Sequence, residues 1–100
     1  MNRLNSFLQV LAELNIPEES FEDILQTNPE IIDGNYDEFI ININLLHKAR
    51  VPKDEIGNLI CTNANFLFLD SIVLKEKIKD IQAEGDLATI LQNEPDIFDK

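Results

Sequence analysis

Apolar residues along this chain recur every three or four positions and almost nowhere every second one, the period of helices packed on one face. Phe7, Leu8, Leu11 and Leu14 predict an N-terminal helix over about 3–14. Tyr36, Phe39, Ile40, Ile43 and Leu46 predict another over about 36–49, and Val73 or Leu74 with Ile78 and Ile81 a third over about 71–83. Between them lie shorter stripes, Phe21, Ile24, Leu25 and Ile56, Leu59, Ile60, each spaced i, i+3, i+4. The run from Ile40 to Leu46 alternates in part like a strand, but it falls inside the stripe from Tyr36 to Leu46 and is read as helix. Punctuation agrees with these spans. Pro17 and Pro52 suit the first turn of a helix, where an N–H is not needed, with acids following to meet the positive helix end. Pro29 and Pro95 should end helices, because the residue before proline avoids the α region. Asp70 and Ser71 are N-cap candidates, and Gly85 is expected as a left-handed C-terminal glycine.

The stripes are also periodic on a longer scale. Shifting the segment from Leu11 by 35 residues lays it without a gap on the segment from Leu46. Ile16–Pro17 then meets Val51–Pro52, Ile24–Leu25 meets Leu59–Ile60, Thr27–Asn28 meets Thr62–Asn63, and Ile31–Ile32 meets Phe66–Leu67. A third, partial copy follows at an offset of 66, placing Ile90, Leu91, Gln92, Pro95, Ile97 and Phe98 on Ile24, Leu25, Gln26, Pro29, Ile31 and Ile32. Its entry is shortened, Ala83–Asp86 standing in for the proline turn. Such a period in helices predicts units that bury their faces on one another. The expected fold is all-α: one domain over 1–100, a short right-handed-type helical solenoid of about three units (about 8–34, 43–69 and 74–98) with six to seven helices. Phe21, Ile24, Ile56, Leu59, Ile60 and Ile90 should be buried, and the pairs Ile31–Ile32, Phe66–Leu67 and Ile97–Phe98 should plug short turns into the core. Ala64, where the first copy has proline, leaves room for the second-copy helix to run on.

The shared pattern L-x-x-L-x-I/V-P-x-E/D-x-F/I-x-x-I/L-L/I-x-x-N-P-x-I/L-I/L, followed by a long helix, resembles the repeat of the mitochondrial transcription terminator (mTERF) family. The resemblance covers nearly the whole chain. It implies units of two helices and a short 3₁₀ turn, stacked into a curved superhelix. It also implies nucleic-acid binding, since members of that family line the superhelix with basic residues.

Charge changes that picture. The chain holds 19 acids against eight Lys and Arg, a formal net charge of −11. Residues 1–35 carry −6, residues 36–69 carry −1 and residues 70–100 carry −4. Affinity for nucleic acid comes largely from cations that neutralise phosphates, so a chain this acidic is repelled by DNA, RNA and anionic membrane unless one face is locally basic. A basic protein is the partner that this charge favours. No apolar run approaches a membrane span. The N-terminus meets acid at Glu13 and lacks a cleavage pattern, so no signal peptide is expected. Cys61 is the one cysteine, which excludes an internal disulfide and points to a reducing, cytoplasmic setting.

Candidate chemistry is sparse. Asp33, Asn35 and Asp37 have the spacing of the first half of a calcium loop. Glu38 and Asn44 stand where that loop needs Gly and a bidentate Glu, so a polar turn with Asn35 as N-cap is expected instead. His47, Lys48, Arg50 and Lys53 form the one basic cluster near a unit boundary, able to contact a phosphate or an acidic partner. Cations at a helix C-terminus, worth about 0.3–1 kcal/mol each there, are the simpler account. Lys75 and Lys79 share a helix face interleaved with Glu76 and Asp80, the pattern of a solvated surface. His47 has no metal-ligand neighbours at suitable spacing, and Cys61, beside Leu59 and Ile60, reads as a small core residue. No catalytic constellation, cofactor site or metal site is expected. The reading is a non-enzymatic protein-interaction module, with nucleic-acid binding or a purely structural domain as the alternatives.

Overall fold

The computed structural model describes residues 3–99. Among them are six α-helices and three 3₁₀ turns, and no strand. They follow in the order helix, helix, 3₁₀ turn, three times over: α1 (Arg3–Glu13), α2 (Glu18–Thr27), η1 (Pro29–Ile31); α3 (Tyr36–Lys48), α4 (Lys53–Thr62), η2 (Ala64–Phe68); α5 (Ser71–Gln82), α6 (Leu87–Asn93), η3 (Ile97–Asp99). The first helices pack in one row, α1 on α3 and α3 on α5, and the second helices in another, α2 on α4 and α4 on α6. The molecule measures 40 × 24 × 21 Å, elongated along one axis.

The internal offset of 35 residues recurs in the backbone. Asn15 and Arg50 are the two non-glycine residues with positive φ among those described, at 65° and 69°. Each ends a first helix in the same way. The Asn15 and Arg50 N–H groups donate to Ala12 and His47 carbonyls, and the next residues, Ile16 and Val51, donate back to Leu11 and Leu46. This is the paired 5→2 and 6→1 bonding of a Schellman turn, clasped by the buried side chains of Leu11 with Ile16 and Leu46 with Val51. Pro17 and Pro52, expected inside the first turn, stand one place earlier as N-caps in extended conformation. A cap residue also gives no N–H to the helix, so the ring fits there equally well. Gly85 takes no left-handed conformation. Its N–H donates to the Ile81 carbonyl, so α5 unwinds without the turn that glycine was expected to supply.

Second helices also end alike. Asn28, Asn63 and Glu94 are the C-caps, and their N–H groups donate to the carbonyls of Ile24, Leu59 and Ile90. Ala64 does not prolong α4, which has the same 10 residues as α2. Asn63 replaces proline as the stop: its Oδ1 accepts the Asn65 N–H at 3.1 Å, a local bond that competes with the helix. α6 is shorter, 7 residues, and Asp86 caps it by accepting the Thr89 N–H.

The core is continuous from Phe7 to Phe98. At its N-terminal end the rings of Phe7, Tyr36 and Phe39 meet at 5.5–5.7 Å, and Phe68 closes on Phe39 at 5.3 Å. Ile24, Ile56, Leu59 and Ile60 are buried as expected, but Phe21 and Ile90 pack against the core half-covered. Ile32 is 52% exposed. η1 stops at Ile31, so Ile32 is already outside the turn, whereas Leu67 lies within the longer η2 and Phe98 within η3. The stripe of α3 contains a buried residue that apolar patterning passes over. Asn42 is wholly buried, and its Nδ2 lies 3.0, 3.1 and 2.8 Å from the carbonyls of Phe66, Leu67 and Leu69. One amide thereby anchors η2 to α3.

Candidate interaction surface

The basic cluster straddles the α3–α4 turn. His47 and Lys48 occupy the last turn of α3, Arg50 is the left-handed residue of the Schellman turn, and Lys53 opens α4. Lys48, Arg50 and Lys53 are exposed and His47 is half-buried. Lys53 sits at the positive end of its helix, where Asp54 and Glu55 follow it. Arg50 holds a conformation that costs a side-chain-bearing residue roughly 1 kcal/mol.

Asn35 caps α3, its Oδ1 accepting the Glu38 N–H, while the Glu38 carboxylate accepts the Ser71 N–H at the head of α5. The polar turn before α3 is thus tied into helix starts. Gly34 is required in it, since a Cβ there would lie 2.3 Å from the Phe39 ring. Tyr36 Oη donates to the Ile32 carbonyl at 2.5 Å. Burial, with Asp33 adding a like charge, pushes its hydroxyl above the ordinary tyrosine range. No group of three or more His, Cys, Asp or Glu side chains is placed to hold a metal among the described residues. Cys61, expected in the core, is exposed on α4. Partial burial nevertheless raises its thiol pKa, which lowers the thiolate fraction at neutral pH.

Charge divides between the two helix rows. α2 carries Glu18, Glu19, Glu22 and Asp23 and no base; α4 carries Asp54 and Glu55 against Lys53; α6 carries no charge. The second helices together hold −5. In the first helices Arg3 offsets Glu13, α3 is −1 and α5 is +1, so that row is neutral. The four acids of α2 are all exposed.

The two junctions within the acidic row differ. Between the α1–α2 turn and α4 the fit is tight, for a Cβ on Gly57 would stand 2.8 Å from the Leu14 carbonyl. Asn15 Nδ2 donates to Asp54 across this junction at 2.7 Å. Between α4 and α6 a cleft of about 380 Å³ lies open, walled by Leu59, Leu91 and Pro95, with Glu55, Asn58, Thr62 and Gln92 as its polar groups. The Gln92 amide donates to Glu55 Oε1 across it. Glu55 Oε2 is shut off from solvent and has no hydrogen-bond partner. α6 is also shorter, lacking at its start three of the residues that α2 and α4 have, close to one helical turn.

No helix among the described residues is long and apolar enough to cross a membrane. No family model matches the chain, and no match was found among curated proteins or solved structures.

Proposed function

We propose that this chain is a non-enzymatic protein-interaction module, a short solenoid of three mTERF-like units that presents its acidic second-helix row to a basic partner protein. The observation that carries the reading is the division of charge: −5 on α2, α4 and α6 against zero on α1, α3 and α5. A surface of one sign attracts its opposite and speeds encounter with it. The same division weighs against nucleic acid, since the basic residues at 47–53 are only four and border the acidic α4. The matched Schellman turns at Asn15 and Arg50, and the helix-to-helix contacts along each row, support a stacked-unit architecture. Such an architecture offers an extended surface rather than an enclosed pocket.

The test is a fluorescence titration of a Lys/Arg-rich peptide against the full chain at about 0.15 M salt, where exposed charges more than roughly 8 Å apart are largely screened. Saturable binding is expected, weakening as salt rises. It should fall at least tenfold when Glu18, Glu19, Glu22 and Asp23 are replaced together by Gln, Gln, Gln and Asn. Retention of duplex DNA or RNA under the same conditions, lost in an Arg50→Glu, Lys53→Glu variant, would replace this reading with the nucleic-acid one.

A further inference from the structure

We infer that the cleft between α4 and α6 receives an arginine side chain of the basic partner, with Glu55 as its acceptor. This rests on the interaction reading above and names the point where the partner is anchored. The cleft combines two features that suit a guanidinium. Its wall of Leu59, Leu91 and Pro95 is apolar, a surface that the three-carbon stem and the weakly hydrated planar head of arginine can cover. At its rim stands a carboxylate with one oxygen unused: Glu55 Oε1 accepts from Gln92, and Oε2, though shut off from water, accepts from nothing. A buried acceptor without a donor costs free energy, and a charge-assisted bond to it recovers more than a neutral one.

The occupant follows from charge and shape. The lining of the cleft holds no base and one carboxylate, Glu55, which disfavours an anionic ligand. A purely apolar side chain would leave Glu55 unsatisfied. Lysine would bring one compact, strongly hydrated ammonium, whereas arginine brings parallel N–H groups that can engage both carboxylate oxygens. Gln92 is exposed and Glu55 half-buried, so as the Gln92 amide swings away the Glu55 carboxylate can turn into the cleft and offer both oxygens to the incoming fork. The hollow between the α1–α2 turn and α4 is smaller, about 160 Å³, and its carboxylate, Asp54, accepts from Asn15 at 2.7 Å.

Hexa-arginine and hexa-lysine, equal in charge, are the probes, titrated calorimetrically into the full chain and two variants, with circular dichroism melts confirming that all three fold. Hexa-arginine should bind about fivefold or more tighter than hexa-lysine, the gain expected of a forked charge-assisted contact. Glu55→Gln should abolish that preference while leaving hexa-lysine binding within about twofold, since only one of many acids is lost. Gln92→Ala should act in the opposite sense and strengthen hexa-arginine binding, because it removes the competing donor; loss of a merely structural contact would not do so. Equal affinities for the two peptides in the wild-type chain, or a preference that persists in Glu55→Gln, would overturn the cleft assignment and leave the acidic-row reading standing. Failure of both peptides to bind would overturn both.

Discussion

The junction between α2 and α4 and the junction between α4 and α6 are built from the same order of elements, yet the hollow beside the first is about 160 Å³ and the cleft at the second about 380 Å³. At the first, α4 comes so close to the α1–α2 turn that only glycine fits at position 57, and Asn15 bridges to Asp54. At the second, α6 is three residues shorter than α4 and the helices leave a cleft between them. Helices still meet there, α4 on α6 and α3 on α5, and the turns add to that contact: Phe66 of η2 lies 6.4 Å from Phe98 of η3, and Asn63 and Asn65 both donate to Asp99. The shorter α6 keeps its packing on α4, and at this junction turn–turn packing between η2 and η3 is added to it.

That account can be broken most sharply at Phe66. If the turns add to the second junction, Phe66→Ala should destabilise the chain by about 3–5 kcal/mol, and hydrogen exchange should show η3 and α6 opening before the rest. Uniform loss of protection along the chain would contradict it. Asn42→Ala comes next. It removes the single donor group that serves the carbonyls of Phe66, Leu67 and Leu69, and orphaned buried acceptors should cost about 1–3 kcal/mol in denaturant unfolding. The tighter junction predicts a smaller net effect for Gly57→Ala. Helix propensity favours alanine by about 1 kcal/mol, but overpacking against the Leu14 carbonyl costs about 1–3 kcal/mol. A net loss of about 1 kcal/mol is expected, and a gain would show that the junction yields. The smallest effect has the opposite sign: Arg50→Gly should stabilise the chain by about 0.5–1 kcal/mol by relieving its left-handed backbone. Asn15→Gly should gain less, as asparagine tolerates that conformation better.

Much of the frame was legible in the pattern of apolar residues. The helical reading of Ile40–Leu46 holds, the offset of 35 residues places α2 on α4 to the residue, and Asn35 and Asp70 cap the helices that they precede. What escaped has physical causes. Asn42 is polar by type but sits on the apolar stripe of α3, where its neighbours at i−3 and i+4, Phe39 and Leu46, are buried; a polar residue in that register is the signal that could have found it. Gly85 is the residue expected to turn left-handed, yet Asn15 and Arg50 do so, each closing a first helix with a Schellman turn. Ile32 and Cys61 are core residues by type, while turn length and helix phase turn them outward; of Val73 or Leu74, Leu74 is the buried one. Of the four basic residues that could contact a partner, His47 and Lys48 lie in the last turn of α3 and Arg50 in the turn that follows it, while the four acids of α2 are all exposed.

If the second-helix row is the binding surface, the two rows should respond differently to a basic partner. Amide chemical-shift mapping of the full chain with a Lys/Arg-rich peptide at about 0.15 M salt should give saturable shifts concentrated on exposed residues of α2, α4 and α6, among them Glu22, Asp23, Asn58 and Gln92. The exposed residues of α1 and α5, such as Gln9, Lys75 and Lys79, should stay unmoved. Shifts centred on α5 or on the turn at 47–53, or shifts there with duplex nucleic acid in place of peptide, would contradict the account.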